Sequence, residues 1–467
     1  MPYSDAAILA ELERLVGTNH VLLPKDRPPP GRFDSSLGGS ALATVRPANT
    51  QEVSNVVAYL STAQRSIIPV GGATGLVNGC LTSAGDVLIS TDRLREIEAI
   101  VPSQKIIKVG AGVPLQLVQE AAAELQLYFP LDLGARGSAT VGGAIATNAG
   151  GNRVIRFGMM RDLVLGLEVV MADGRIVSSM NTLIKNNTGY DIKQLFIGSE
   201  GTLGIVTRAV LRLWPAPTER QMAFVGLSSL DAASALLSAV DRESEGRLTA
   251  FEAMWPRFYE LASVNLPNGR APLECRHQLF ALIELQGGVD AREALELCLN
   301  QAIEDELVDD AVIARSEADC QTFWNIRDNV EPIADLGELL MFDVGLPLGE
   351  MQEYVGVVQS RLAGVKGVRE AVVWGHIGDG NLHIWVACAS ITDKTRTEVN
   401  DIIYGPLSDI GGSISAEHGI GLEKRSYLHL SRSRQEIEIM TTLKFALDPQ
   451  NILNPGKVLP DLKKEKY

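Results

Sequence analysis

The stretch Trp374-Gly-His-Ile-Gly-Asp-Gly-Asn-Leu-His-Ile-Trp385 constrains the fold more than any other part of the chain. An Asp-Gly pair between apolar, strand-prone runs is the strongest short-range hairpin signal, because both central residues of a type I′ turn take positive φ. A turn at Asp379-Gly380 predicts that His376 lies directly across from His383, with Asn381 on the same face. Opposite residues on one face have Cβ atoms roughly 5 Å apart, which lets two imidazoles reach one metal ion. Downstream, Ser415-Ala-Glu-His-Gly-Ile-Gly421 offers Glu417 as a hard third ligand and His418 as a base. Two histidines and a carboxylate with one position left open make the pattern of a catalytic metal site, whereas a structural site is usually closed by four protein ligands. The plainer reading, a hairpin with two satisfied histidines, leaves Glu417 and His418 unexplained.

At 467 residues the chain exceeds what one hydrophobic core supports, so two or three domains are expected. A net charge of −15, with no clustered basic stripe, argues against a nucleic-acid partner. The basic tail Lys463-Lys464-Glu465-Lys466 reads as a solvated terminus. Cys80, Cys275, Cys298, Cys320 and Cys388 are scattered and form no CxxC pair, which excludes a thiolate zinc site and a disulfide scaffold and fits a reducing compartment. The N-terminus reads as an amphipathic helix from Ala6 to Val16, unlike a secretory or transit peptide. No apolar run approaches the ~20 residues that span a bilayer. A soluble, cytoplasmic protein is expected.

Pro24–Gly39 reads as a connector. Ala41–Val45 then reads as a strand, and Thr50 as the cap of a helix with Val53, Val56, Val57 and Leu60 on one face. A second strand, Ile67–Val70, ends in Gly71-Gly-Ala-Thr-Gly-Leu-Val-Asn-Gly79. This βαβ unit delivers backbone amides to something anionic, although the loop is neither a Rossmann fingerprint nor a P-loop. The longer segment Pro130–Gly151 carries almost no bulky side chains, which permits close approach of backbone to a large ligand. Ile197–Val206 is a third small-residue segment, and Leu213-Trp-Pro-Ala-Pro217 is the best domain boundary. Beyond it, strand-like runs (Gln221–Leu227, Gln278–Leu285, Ala371–Trp374) alternate with helices (Ser229–Asp241, Ala291–Leu307, Leu348–Ala363), which suggests an α+β domain on an antiparallel sheet.

Six pieces, in order, carry a resemblance: Pro69–Gly79, Pro130–Gly151, Gly198–Thr207, Gly375–His383, Ser415–Gly421 and Asn454–Lys457. Together they resemble the FAD-linked dehydrogenases of D-2-hydroxy acids, a family that includes D-2-hydroxyglutarate dehydrogenase, D-lactate dehydrogenase and the flavin subunit of glycolate oxidase. The resemblance runs from about Ala41 to Val458. It implies a p-cresol methylhydroxylase-type FAD-binding domain over residues 1–217 and an α+β cap over 218–410. The segment 411–467 would then supply Glu417 and His418 and return to the FAD domain.

The same resemblance implies contacts to FAD from Pro69, Val70, Gly71, Gly72, Ala73, Thr74, Gly75 and Leu76 in the first segment. In the second it implies Pro130, Gly134, Ala135, Ser138, Thr140, Val141, Gly142, Gly143, Thr147, Asn148 and Gly151. Glu200, Gly201, Gly204, Ile205 and Val206 follow in the third, and Asn454 in the tail. The flavin is expected to be bound without a covalent link, although Cys80 stands just past the first segment. His376, His383 and Glu417 are implied as ligands of a divalent metal, zinc first, and His418 as the catalytic base. Arg327, in Phe323-Trp-Asn-Ile-Arg-Asp, is implied to bind the substrate carboxylate, with Asn381, Glu417 and His418 as further substrate contacts.

Glu331 and Met341 depart from the D-2-hydroxyglutarate members, which resemble one another in carrying a threonine and a lysine there. D-lactate or a larger apolar D-2-hydroxy acid is therefore expected to serve at least as well as D-2-hydroxyglutarate, unless another cation such as Arg276 reaches the pocket. The alternatives are a strictly monocarboxylate D-lactate-type enzyme and a non-catalytic flavin subunit of an oxidase complex. The electron acceptor (an electron-transfer flavoprotein, a quinone or a cytochrome) and a homodimer are left open.

Overall fold

A computed structural model describes residues 4–26, 39–264, 266 and 270–460. Most of the connector, residues 27–38, and the basic tail lie outside the described residues. The chain forms two compact units. One comprises Met1–Gly151, Gly158–Ala216 and Glu417–Tyr467, and the other Asn152–Phe157 and Pro217–Ala416.

The strands of the first unit are β1 (Val21–Leu22), β2 (Ala43–Val45), β3 (Ile67–Val70), β4 (Val87–Ser90), β5 (Ile97–Val101), β6 (Ile106–Gly110), β7 (Leu127–Tyr128), β8 (Val164–Val170), β9 (Ile176–Ser179), β10 (Ile205–Arg212) and β11 (Trp214–Pro215). They build a four-stranded sheet β1-β2-β4-β3, a five-stranded sheet β5-β6-β10-β8-β9 and the pair β11-β7. Both β2 and β3 run parallel to β4, and their apolar runs suit strands buried on both faces. The crossover helix Thr50–Thr62 buries Val53, Val56, Val57 and Leu60. Its cap is Asn49 rather than Thr50: Asn49 has the extended backbone a cap needs and accepts from the Glu52 amide, while the Thr50 hydroxyl donates to Glu168.

Inside Pro130–Gly151 lies a helix, Val141–Thr147, which the glycines obscured. Thr140 caps it and Asn148 closes it with φ at 50°. Gly142 is required by packing, since a Cβ there would lie 2.7 Å from the Ala111 methyl.

The second unit is one antiparallel sheet in the order β15-β12-β14-β13-β17-β18-β16. Its strands are β12 (Arg220–Leu227), β13 (Leu248–Met254), β14 (Leu279–Gln286), β15 (Val308–Ile313), β16 (Glu338–Gly345), β17 (Val368–Gly375) and β18 (Asn381–Cys388). Helices Leu230–Glu243, Val289–Glu304 and Met351–Leu362 pack on one face. Helices Pro256–Ala262, Glu317–Asp328 and Glu331–Ala334 cover the other over an aromatic core that includes Phe224, Phe258, Phe280, Phe323, Trp374 and Trp385. Each such ring, fully buried, stabilises the unit by about 1.5–3 kcal/mol, and Phe258 stacks on Trp374 at 4.7 Å. Residues 411–416 belong to this unit and not to the returning segment, because Gly345 and Ser413 exchange both backbone hydrogen bonds, at 3.0 and 2.8 Å.

Candidate active site and cofactor cavity

In the first unit the glycine segments converge on a cavity of about 340 Å³. Pro69 to Leu76, Gly134, Ala135, Thr140, Gly142, Gly143, Thr147, Glu200, Gly201, Gly204, Ile205, Val206 and Asn454 all line it, together with Glu417 and His418. Two segments are pressed together here. A Cβ on Gly71 would overlap the Thr140 hydroxyl, and one on Gly72 the Ser138 carbonyl oxygen. A Cβ on Gly75, Gly79 or Gly134 would meet nothing within 4 Å, so these positions leave backbone open to a ligand.

Pro130, Ser138, Val141, Asn148 and Gly151 do not line the cavity. Val141 is fully buried, Asn148 is the helix closure and accepts the Arg161 amide at 2.8 Å, and Gly151 abuts the Asp132 carbonyl. The lining residues not expected from sequence are Val77, Gly79, Cys80, Thr91, Leu133, Ala139, Ala144, Ala146, Ala149 and Gly150. Most lie in the same small-residue segments; Thr91, just past β4, carries no sequence signal at all.

Among the described lining residues none is lysine or arginine, and the carboxylates are Glu200 and Glu417. Glu200 is a strut. It accepts the amides of Ile420 and Gly421 at 2.7 and 2.8 Å, although burial pushes its carboxyl above the ordinary range. The glycines of Glu417-His-Gly-Ile-Gly421 follow from this packing: a Cβ on Gly419 would lie 2.8 Å from Glu200, and one on Gly421 would overlap the Val77 carbonyl. The open backbone at Gly75, Gly79 and Gly134 suits a large, flat ligand met chiefly by backbone amides, which fits FAD.

In the second unit the hairpin differs from the one expected. His383 pairs with Trp374, not His376, and the strands are joined by the five residues from His376 to Gly380. Gly380 has φ at 86°, but Asp379 is not left-handed, so the turn is not type I′. The His376 carbonyl instead accepts the amides of Asp379 and Asn381, both at 3.1 Å. His376 and His383 nevertheless meet, with ring centroids 5.2 Å apart and ligand nitrogens within 4.8 Å, both rings buried.

The centre of this corner is a residue the sequence reading did not name. Glu252 on β13, 1% exposed, takes His376 Nδ1 at 2.7 Å and Arg327 Nε at 2.7 Å on its two oxygens. Burial pushes the Glu252 carboxyl up, but the charges and hydrogen bonds of His376 and Arg327 outweigh this and hold it below the ordinary range. With Nδ1–H donated to Glu252, the lone pair of His376 sits on Nε2, the ligand position, which Arg327 Nη2 approaches at 2.8 Å. Arg327, at the end of helix Glu317–Asp328, also bonds Asp328 at 3.1 Å.

Asn381 is 3% exposed, and both its side-chain oxygen and nitrogen are buried without a hydrogen-bond partner. Such orphaned atoms are rare and mark a place where a ligand is expected. Across from His383 on β16, the fully buried Asp343 accepts the Ala416 amide at 3.0 Å and the Ser415 hydroxyl at 3.4 Å. The chain is thus fixed beside His383 one residue before Glu417. The donor set, the oriented Nε2 and the open Asn381 amide fit a divalent cation with its substrate. Glu331 is exposed, and Met341 packs against the aromatic core. Arg276 is turned outward, 64% exposed, with its nearest acids Glu274 and Asp310 at 3.5 and 3.8 Å.

Comparison with known proteins finds two family models. One, described as FAD binding domain, covers residues 41–179, and the other, FAD linked oxidases, C-terminal domain, covers residues 216–458. The chain is 37% identical to a probable mitochondrial D-2-hydroxyglutarate dehydrogenase of Oryza sativa subsp. indica over 96% of its own length and 80% of the relative's. It is also 37% identical to the D-2-hydroxyglutarate dehydrogenase of Xanthomonas citri pv. viticola, over 89% of each chain. Among solved structures, p-cresol methylhydroxylase superposes with a TM-score of 0.78 at 14% identity, over 99% of this chain and 98% of that one, a likeness of fold.

Proposed function

This chain belongs to the FAD-linked oxidase and dehydrogenase family that includes the D-2-hydroxyglutarate dehydrogenases, and on that premise we propose that it converts a D-2-hydroxy acid to the 2-oxo acid with the help of a divalent metal. That it is an FAD-dependent hydroxy acid dehydrogenase follows from the family; the metal, the roles of individual residues and the substrate are the proposal.

Oxidising a 2-hydroxy acid removes the hydroxyl proton and a hydride from C2. When bound, FAD accepts the hydride and a divalent cation, zinc first among the candidates, acidifies the hydroxyl. His376, His383 and Glu417 hold that cation. Arg327 clamps the carboxylate beside C2 bidentately and so fixes which face of that carbon is presented. Asn381 offers its amide to the substrate's polar end. His418, on the loop that lines the cofactor cavity, takes the hydroxyl proton as the general base. FAD is held non-covalently.

The observation that carries the reading is the Glu252 clamp, because one buried carboxylate orients both His376, the proposed metal ligand, and Arg327, the proposed carboxylate clamp. The test is turnover with an artificial electron acceptor on both enantiomers of lactate, malate and 2-hydroxyglutarate, before and after chelation. Activity confined to D-enantiomers, lost to the chelator and restored by zinc, is expected. Oxidation of L-enantiomers, or full activity in metal-free protein, sinks the proposal. Among the described residues no helix is long and apolar enough to cross a membrane. A cytoplasmic location is kept as a proposal to be checked by cell fractionation, because the Oryza relative's name places that protein in mitochondria.

A further inference from the structure

The four residues before Glu417 are strapped to the edge of the second unit's sheet. β16 ends that sheet on one side, with β18 as its paired neighbour. On its free side, Gly345 and Ser413 form a single antiparallel bridge. A regular ladder would next place Ser415 opposite Asp343. The backbone pairing stops instead, and the Asp343 side chain takes over: its Oδ2 accepts the Ala416 amide at 3.0 Å and the Ser415 hydroxyl at 3.4 Å. Ser413 tightens the strap, since its hydroxyl donates to the Ser415 carbonyl at 2.8 Å and accepts the Ser415 amide at 3.3 Å. A Cβ on Gly345 would already press on the Ser413 side chain, at 3.3 Å.

Asp343 is fully buried, and a carboxylate is a costly group to bury for the sake of one amide and one hydroxyl. Its place on β16 shows what the cost secures. Asp343 pairs directly with His383, so the two Cβ atoms stand roughly 5 Å apart on one face. The amide it holds is the one immediately before Glu417. The first amide held after Glu417-His-Gly419 is that of Ile420, which Glu200 accepts. Three residues, two of them chemically active in the reading above, therefore lie between two anchored amides. Glu252 orients His376 through the ring nitrogen that a metal does not use. A carboxylate ligand has no such spare atom, and placing it through its backbone leaves both of its oxygens available.

We propose that Asp343 is a positioning residue for Glu417: it sets the backbone from which the carboxylate reaches the cation held by His376 and His383. This rests on the metal reading above. The test measures zinc affinity of the FAD-loaded enzyme by competition with a chromogenic chelator, in wild type, Asp343→Ala, Asp343→Asn and Glu417→Ala, and with each Asp343 change in the Glu417→Ala background. Asp343→Ala is expected to raise the zinc Kd about 10- to 100-fold. Flavin absorbance should stay unchanged, since Asp343 does not line the cofactor cavity. Asp343→Asn keeps an oxygen for the Ala416 amide and should recover part of the loss. In the Glu417→Ala background the same changes should alter zinc affinity by about twofold or less, because no carboxylate is left to place. Equal fold-losses in both backgrounds overturn the inference, since Asp343 then acts through His383 or through overall stability. Unchanged zinc affinity in Asp343→Ala overturns it as well. If Asp343→Ala does not fold, Asp343→Asn in the two backgrounds carries the same comparison. A wild type that binds no zinc counts against the metal reading itself, and takes this inference with it.

Discussion

The cofactor cavity and the buried charged corner beside His376 solve opposite problems. The cavity is built from glycine, alanine and threonine, so its specificity lies in backbone shape and its lining carries little charge. The corner on the β13–β17–β18 face is built from side chains that cost free energy to bury: Glu252, Glu284, Arg327, His376, Asp343 and Asn381. Each buried charge there is held by a partner of opposite sign or by hydrogen bonds, since an unpaired one costs several kcal/mol. A shape-built site tolerates loss of charge but not added bulk, and a charge-built site behaves in reverse.

The sharpest way to break this contrast is to remove a proposed metal ligand. His376→Ala, His383→Ala and Glu417→Ala are each expected to abolish turnover while the protein stays yellow, because neither histidine lines the cofactor cavity and Glu417 lines it beside glycine segments that meet the flavin chiefly through backbone. FAD loss in all three, read from the absorbance spectrum, means that the two regions are not separable. Next in size is His418→Ala, expected to lower kcat by roughly 100-fold or more with metal content unchanged. Loss of metal in that variant makes His418 a ligand and leaves Glu417 without a role.

Glu252→Gln keeps the shape of the clamp and removes its charge. A kcat lower by about 10- to 100-fold, with weakened metal affinity, is expected from loosening an outer partner of a ligand histidine. Unchanged metal affinity would mean that Glu252 serves Arg327 alone. The reverse experiment is Gly72→Ala, which adds one methyl where the Ser138 carbonyl already stands. Overpacking on the order of 1–3 kcal/mol corresponds to a roughly 5- to 150-fold rise in the FAD dissociation constant. Metal binding should not move. If Gly72→Ala retains FAD fully, the cavity's shape is less exacting than its packing implies.

The two regions also differ in how far they could be read from sequence. Glycine clusters are local signals, and so are His376, His383 and the Glu417-His418 pair; all were legible because the chemistry lies in adjacent letters. Glu252 was not, because an acidic residue in Thr249-Ala-Phe-Glu-Ala-Met254 looks like any strand residue facing water until β17 and helix Glu317–Asp328 close over it. The hairpin was recognised but its register was wrong, since the His376 carbonyl closes a longer turn than Asp379-Gly380 alone predicts. The helix Val141–Thr147 was missed because Gly142 and Gly143 argue against helix by propensity, and packing on Ala111 overrode them.

The smallest expected effect concerns a charge behind the cavity wall that responds to pH. Lys457 is buried behind Asn454, a lining residue, and donates to the Asn454 side chain at 2.6 Å and the Leu81 carbonyl at 2.8 Å. Burial pulls its ammonium down to about 8 from 10.5, against the opposing pull of Cys80, Asp86 and Glu200. Below pH 8 the lysine is protonated in folded and unfolded chains alike and contributes no slope. Between about pH 8 and 10.5 the unfolded chain still holds a proton that the folded chain has released, so this group makes stability rise with pH, by at most about 1.4 kcal/mol per unit. Urea midpoints of the holoenzyme from pH 7.5 to 10, compared with Lys457→Met, isolate the contribution. The variant should show a flatter or more negative slope than wild type above pH 8. If the two slopes coincide, Lys457 keeps an ordinary pKa, and charge is no costlier behind the cavity wall than it is at the surface.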